Sequence, residues 1–357
     1  MRSFLAWFLT AAALVACGDD GGSTDPDAAP IDAAIVDADP TDAGFVAPTL
    51  LSETGLYSDI GTKAIAAGVI EYAPRWELWS DAAVKRRWIQ LPAGTQIDTS
   101  DMDFWSFPTG TKFWKEFSRG GARIETRLLQ KIGTIDDVSS WHMVAFQWDL
   151  AETDATAVPG GVVDDTGVND IPDRAKCRQC HGPTRNPAIV LGFQALQLDH
   201  DAPANGLDLA QLVAADTLTV EPTADGNGVF FPFPVETGTP VVLPAVGYLH
   251  ANCGGCHNHR SEVAMNTVPL QLRLRTESTY RTTWAATPTY STVVNVPVTL
   301  VSSTGSHLVK PMDTAESEIF LRMDTVLGFK MPPVGREQID PAAVAAVQLW
   351  INVLPVN

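Results

Sequence analysis

Two five-residue runs constrain this chain more than anything else in it: Cys177-Arg178-Gln179-Cys180-His181 and Cys253-Gly254-Gly255-Cys256-His257. They take four of the five cysteines and two of only seven histidines, so chance is a poor account of them. Cys-x-x-Cys-His is the haem c attachment signature. Two thiols one helical turn apart can each add to one vinyl group on a porphyrin edge. The next residue then offers its imidazole to the iron as proximal ligand. The expectation is two covalently bound haem c groups, held by Cys177 and Cys180 and by Cys253 and Cys256, with His181 and His257 on the iron. Three other readings use the same cysteines: a four-thiolate zinc site, a thioredoxin-like redox pair, and structural disulfides. The first leaves both histidines unexplained, and the second lacks a surrounding βαβ pattern.

The N-terminus reads as an export signal, with Arg2 before the apolar stretch Phe4 to Val15. That stretch is too short to span a bilayer as a stable helix. Leu14-Val15-Ala16-Cys17 resembles a bacterial lipobox, which makes residues 1–17 a lipoprotein signal peptide and Cys17 the lipidation site. Residues 18–47 then hold eight Asp and no Lys or Arg. Such a segment repels itself and buries nothing, so it reads as a disordered tether. The expected location is the cell envelope on the periplasmic side, lipid-anchored to a membrane. This agrees with haem c, which is attached outside the cytoplasm. A formal net charge of −18 argues against nucleic acid and suits a basic redox protein partner.

Residues 48–157 hold seven of the ten tryptophans. Ile124, Thr126 and Leu128 alternate as a strand, as do Val144, Phe146, Trp148 and Leu150, with Gly120-Gly121 as a hairpin turn. A small antiparallel β domain with a tryptophan core follows. Residues 158–236 form the first haem segment and 237–357 a C-terminal cytochrome c-like domain. The predicted fold class is therefore α+β: an N-terminal antiparallel β domain followed by mostly α-helical cytochrome c-type haem domains.

In the C-terminal part, Pro244 opens a helix that leads into the second motif. Asp340-Pro341 caps a last helix carrying Val344, Val347, Ile351 and Leu354 on one face. Between them stands Met331-Pro332-Pro333. Proline keeps that loop from becoming helix, and the thioether of Met331 is well placed to be the distal ligand of the haem at His257. The stretch Leu270 to Leu300 reads as strands or loop. No such methionine loop follows the first motif. Its sixth ligand stays open among His142, Met143, His200, His250, Met265, Met312 and Met323, with His200 and Met323 ahead, or the iron is five-coordinate.

The whole arrangement resembles a family of uncharacterised bacterial dihaem c-type cytochrome proteins, sometimes fused to soluble sugar-dehydrogenase-like β-propellers. The resemblance runs through Trp79-Ser80-Asp81, Lys85 to Ile89, Phe107 to Lys112, Ile124 to Leu129 and Trp148 to Ala155. It continues through Cys177 to His181, Leu191-Gly192, Tyr248 to Cys253 and Met331 to Pro333. It implies a dihaem electron-transfer protein whose partners are a periplasmic dehydrogenase or another cytochrome. The alternative is a dihaem peroxidase or oxidase-type enzyme with one open iron. The sequence favours electron transfer over catalysis and names no catalytic residue.

Overall fold

A computed structural model of the chain describes residues 44–163, 170–182, 188–202, 206–261, 269–299 and 304–356. Cys17, Met265 and nearly all of the Asp-rich segment lie outside the described residues.

A six-stranded antiparallel meander forms the centre. Its strands, in both sequence and spatial order, are β3 (Ile70–Glu71), β4 (Val84–Gln90), β5 (Lys112–Arg119), β6 (Ala122–Lys131), β7 (Trp141–Trp148) and β8 (Ala155–Ala157). A separate pair, β1 (Tyr57–Asp59) and β2 (Ala64–Ile65), precedes it. Gly120 and Gly121 join β5 to β6 with φ of 58° and 89°. Both values are in the left-handed region that a tight two-residue hairpin turn requires, and glycine takes them without strain.

The register sorts the strands into two faces. Trp88, Trp114, Leu128 and Val144 stand opposite one another across four strands and, with Phe146, Trp148, Leu51, Leu56 and Tyr57, make a small core on one side. One residue along, Ile89, Phe113, Leu129 and Met143 line up on the other face. That face belongs to the main core, which runs through Phe193 and Leu196 to Val246, Leu249, Val347 and Trp350. The tryptophan-rich sheet and both motif-bearing segments therefore bury their apolar surface together.

The helices are short: α1 (Arg174–His181), α2 (Ala195–Leu198), α3 (Leu209–Ala214), α4 (Val242–Asn252), α5 (Pro288–Val293), α6 (Glu318–Met323) and α7 (Pro341–Val353). The expectation of mostly α-helical cytochrome c-type domains after the sheet is thus overturned, because the structure is 24% helix and 20% strand. The chain holds 25 prolines and 27 glycines, which break long helices. Side chains hold much of what lies between. Asp199 accepts the amides of Phe230 and Phe231 at 3.1 and 2.7 Å. Glu236 accepts those of Val241, Val242 and Leu243 at 2.8–2.9 Å, which satisfies amides at the N-terminus of α4. Residues 270–299 hold no strand but two 3-10 turns and α5. The last helix is as expected: Asp340 accepts from Ala342 and Ala343, Pro341 opens the first turn, and α7 packs on α4.

Candidate cofactor-binding sites

The first motif occupies the end of α1. Asp173 caps the helix by accepting the Lys176 amide at 2.7 Å. Cys177, Cys180 and His181 then fall at helical spacing, so the three side chains share one side of the turn. Cys177 packs against the main core, and burial pushes its thiol up to about 11. The His181 ring is fixed by its Nδ1, which donates to the Ile189 carbonyl at 2.5 Å when the ring is neutral. That hydrogen bond assigns the tautomer and leaves Nε2 as the ring's lone-pair donor, the arrangement that metal-binding histidines adopt. Burial lowers the imidazole to about 4 and keeps it neutral.

The second motif continues α4 by one more turn. The amides of Cys253, Cys256 and His257 bond to the carbonyls of Leu249, Cys253 and Cys253 at 2.9, 3.0 and 2.9 Å. Asn258, fully buried, donates its amide to the Gly254 and Gly255 carbonyls. Gly254 is required here: a Cβ on it would lie 2.6 Å from the His250 carbonyl oxygen and 2.9 Å from Arg273 Cα. Burial, and then the Arg322 charge, lower His257 to about 4, and its buried Nδ1 has no partner among the described residues.

All four motif cysteines are part-exposed and none is assigned to a disulfide. Among the described residues, no three His, Cys, Asp or Glu converge to hold a metal ion. The four thiols thus do not converge on one point in the observed fold. This is compatible with haem c, where thiols and imidazole act on different atoms of one large group.

Met331 lies in the loop between α6 and α7. Its amide bonds to the Arg322 carbonyl at 3.0 Å. Arg322 is also the residue whose charge reaches His257, so the loop is tied to the second motif's surroundings. Buried Arg336 braces it by donating to the Met323 carbonyl at 2.6 Å and to those of Arg322 and Thr325.

For the first motif, His200 is engaged through both ring nitrogens, with the Ala73 and Asp201 carbonyls at 2.9 and 3.0 Å. His250 is buried; its Nδ1 accepts the Leu274 amide at 3.0 Å. Met143 and Met323 pack in the main core, and Met312 is exposed. His142 on β7 is the candidate brought next to α1, 3.3 Å from the Arg174 guanidinium.

Sequence reasoning missed the sheet's part in the first site. The charge of Arg127 on β6 acts on Cys177 and Cys180, and Lys115 and Arg127 both act on His181. The only trace of this in the sequence is basic residues at inward strand positions, which cannot be seen before the register is known.

Comparison with family models, with curated proteins and with solved structures returns no match.

Proposed function

We propose that the chain is a dihaem c-type protein that transfers electrons in the bacterial cell envelope, with a periplasmic dehydrogenase or another cytochrome as partner. The observation that carries this reading is repeated twice. A helical turn presents two thiols and ends in a half-buried imidazole whose desolvation keeps it neutral. The donor set fits haem c: thiols for the vinyl groups, imidazole for the iron. Bound haem supplies a one-electron redox couple. The chain's residues hold it covalently through Cys177, Cys180, Cys253 and Cys256. Ile189 keeps the His181 tautomer, and the buried sheet and helices exclude water. Met331 serves as the second ligand at the His257 site.

The test is a pyridine haemochrome assay on mature protein after acid–acetone extraction. The expected count is two haems per chain, and a count of zero or one defeats the reading. Carbon monoxide added to the ferrous protein separates the electron carrier, which leaves it unbound, from a peroxidase or oxidase with an open iron. On the lipobox reading Cys17 anchors the protein to the membrane. Cys17→Ser should then appear in the soluble fraction or as uncleaved precursor, and unchanged membrane attachment would refute the anchor.

A further inference from the structure

The sheet face turned towards α1 carries a row of cations. The register places Arg87 opposite Lys115 and Lys115 opposite Arg127 on β4, β5 and β6. Lys85 lies two residues before Arg87 and so shares its face. Cations on a covered sheet face are costly unless they are neutralised. Glu125 takes Arg127 at 2.5 Å, and Glu77 is shared by Lys85 and Arg87 at 3.4 and 3.5 Å. Lys115 has no ion pair or hydrogen bond among the described residues. Its Nζ lies 4.8 Å above the Phe117 ring, with the Arg127 guanidinium at 4.3 Å from the same ring. Burial, then Arg87 and Arg127, hold Lys115 well below the ordinary lysine range. Four basic residues meet two directly paired carboxylates, so Lys115 and one of the two that share Glu77 lack a carboxylate of their own. In a chain of net charge −18 this surplus is local, and it faces the first motif.

Neighbouring strands are about 4.8 Å apart, so along the row Lys115 stands about 5 Å and Arg87 about 10 Å beyond Arg127. Arg127 is the cation beside the cysteines. A haem attached there has its two propionate groups on the edge away from its thioether links, and those groups carry two negative charges. We propose that Lys115 and Arg87 bind the propionate carboxylates of the haem held by Cys177, Cys180 and His181, with Arg127 already neutralised by Glu125. The proposal rests on the haem c reading above. It supplies the partner that Lys115 lacks and matches the surplus charge in number and in place.

The experiment uses full-length holoprotein with Lys115→Gln, Lys115→Arg and Arg87→Gln, each assayed by haemochrome count, optical spectrum and redox titration. Two haems should remain in every variant, with unchanged spin state. One of the two reduction potentials should fall in Lys115→Gln, because an unneutralised carboxylate disfavours the added electron. The same potential should fall in Arg87→Gln and stay near the wild-type value in Lys115→Arg. Both potentials unmoved in Lys115→Gln overturns the proposal. A change of spin state also overturns it, because Lys115 would then be an iron ligand. If Lys115→Gln does not mature, Arg87→Gln decides by the same reading. A wild-type count below two haems instead defeats the haem c reading itself, so the two failures are distinguishable.

Discussion

Gly247 sits on α4 against the indole of Trp76, in a ring cluster that places Phe233 6.0 Å and His250 5.6 Å from Trp76. A Cβ on Gly247 would lie 2.6 Å from Trp76 Cδ1 and closer still to Nε1 and Cε2. An indole wedged among other rings cannot give way as a flexible side chain would. Overpacking of this kind costs about 1–3 kcal/mol. Against it, alanine is worth about 1 kcal/mol more than glycine inside a helix. Gly247→Ala should therefore lose up to about 2 kcal/mol net. In a Trp76→Ala background the clash is gone and only the helix preference remains. There the same substitution should gain about 1 kcal/mol, so its sign reverses. Urea unfolding of the four proteins of this double-mutant cycle measures the shift in midpoint, with the slope checked for constancy. Gly247→Ala having the same sign in both backgrounds would refute the idea that the glycine exists to admit Trp76 and seat the helix that leads into Cys253.

Met331→Ala should abolish the weak far-red band of ferric thioether-ligated iron, lower one reduction potential and leave both haems covalently attached; retention of the band would assign the ligand elsewhere. Asp340→Ala removes the acceptor of the Ala342 and Ala343 amides at 3.1 Å and should cost about 1 kcal/mol in urea unfolding, with Asp340→Asn restoring part of it. Burial and the nearby Asp81 carboxylate raise Glu337 from 4.5 to about 7. The folded state thus holds this proton more tightly than the unfolded chain, and the stability it contributes is full below pH 4.5 and is lost as pH rises through about 7. Glu337→Gln should flatten that part of the stability profile, and an unchanged profile from pH 4.5 to 7 would sink the assignment.

What was legible in the sequence was what depends on near neighbours along the chain. The Gly120-Gly121 turn, the alternation through Thr126 and Leu128, and the Asp340-Pro341 helix start all appear where pattern and cap chemistry place them. Leu150, expected to continue the β7 pattern, is exposed because the strand ends at Trp148. α3 (Leu209–Ala214) likewise starts at a local capping box, Asp208 with Gln211. Long-range pairing was not legible. Nothing local tells that Glu236 caps α4, that Asp199 holds Phe230 and Phe231, or that Trp76 docks on Gly247. The error over helical haem domains has the same root. Two motif helices by themselves suggest helical domains, whereas the sheet and side-chain-braced loops supply much of what surrounds them.

The two motifs are supported by different means, and this decides where their differences originate. α1 has eight residues, none of them fully buried. A helix that short is marginal by itself, and it is held by its Asp173 cap, by contact with β7 and by Cys177 in the main core. It cannot wall a large planar group, so the remaining wall of the first site has to come from the sheet, and the sheet face there is cationic. α4 has eleven residues with five buried and leans on α7, so the second site draws on helices and on the Met331 loop. There too the charges near the motif are cations: Arg322 acts on His257 and Arg336 on Cys253. A chain with 42 acidic and 24 basic residues thus sets several of its basic groups beside its two motifs. On the haem c reading, a positive charge that no carboxylate offsets would favour the state that has gained an electron; Glu125 offsets Arg127 and Glu318 offsets Arg322, which leaves Lys115 at the first site and Arg336 at the second. The first site's bias comes from β-strand register and the second's from the α6–α7 connection. Substitutions in the sheet should therefore move one potential and substitutions around Arg322 and Arg336 the other.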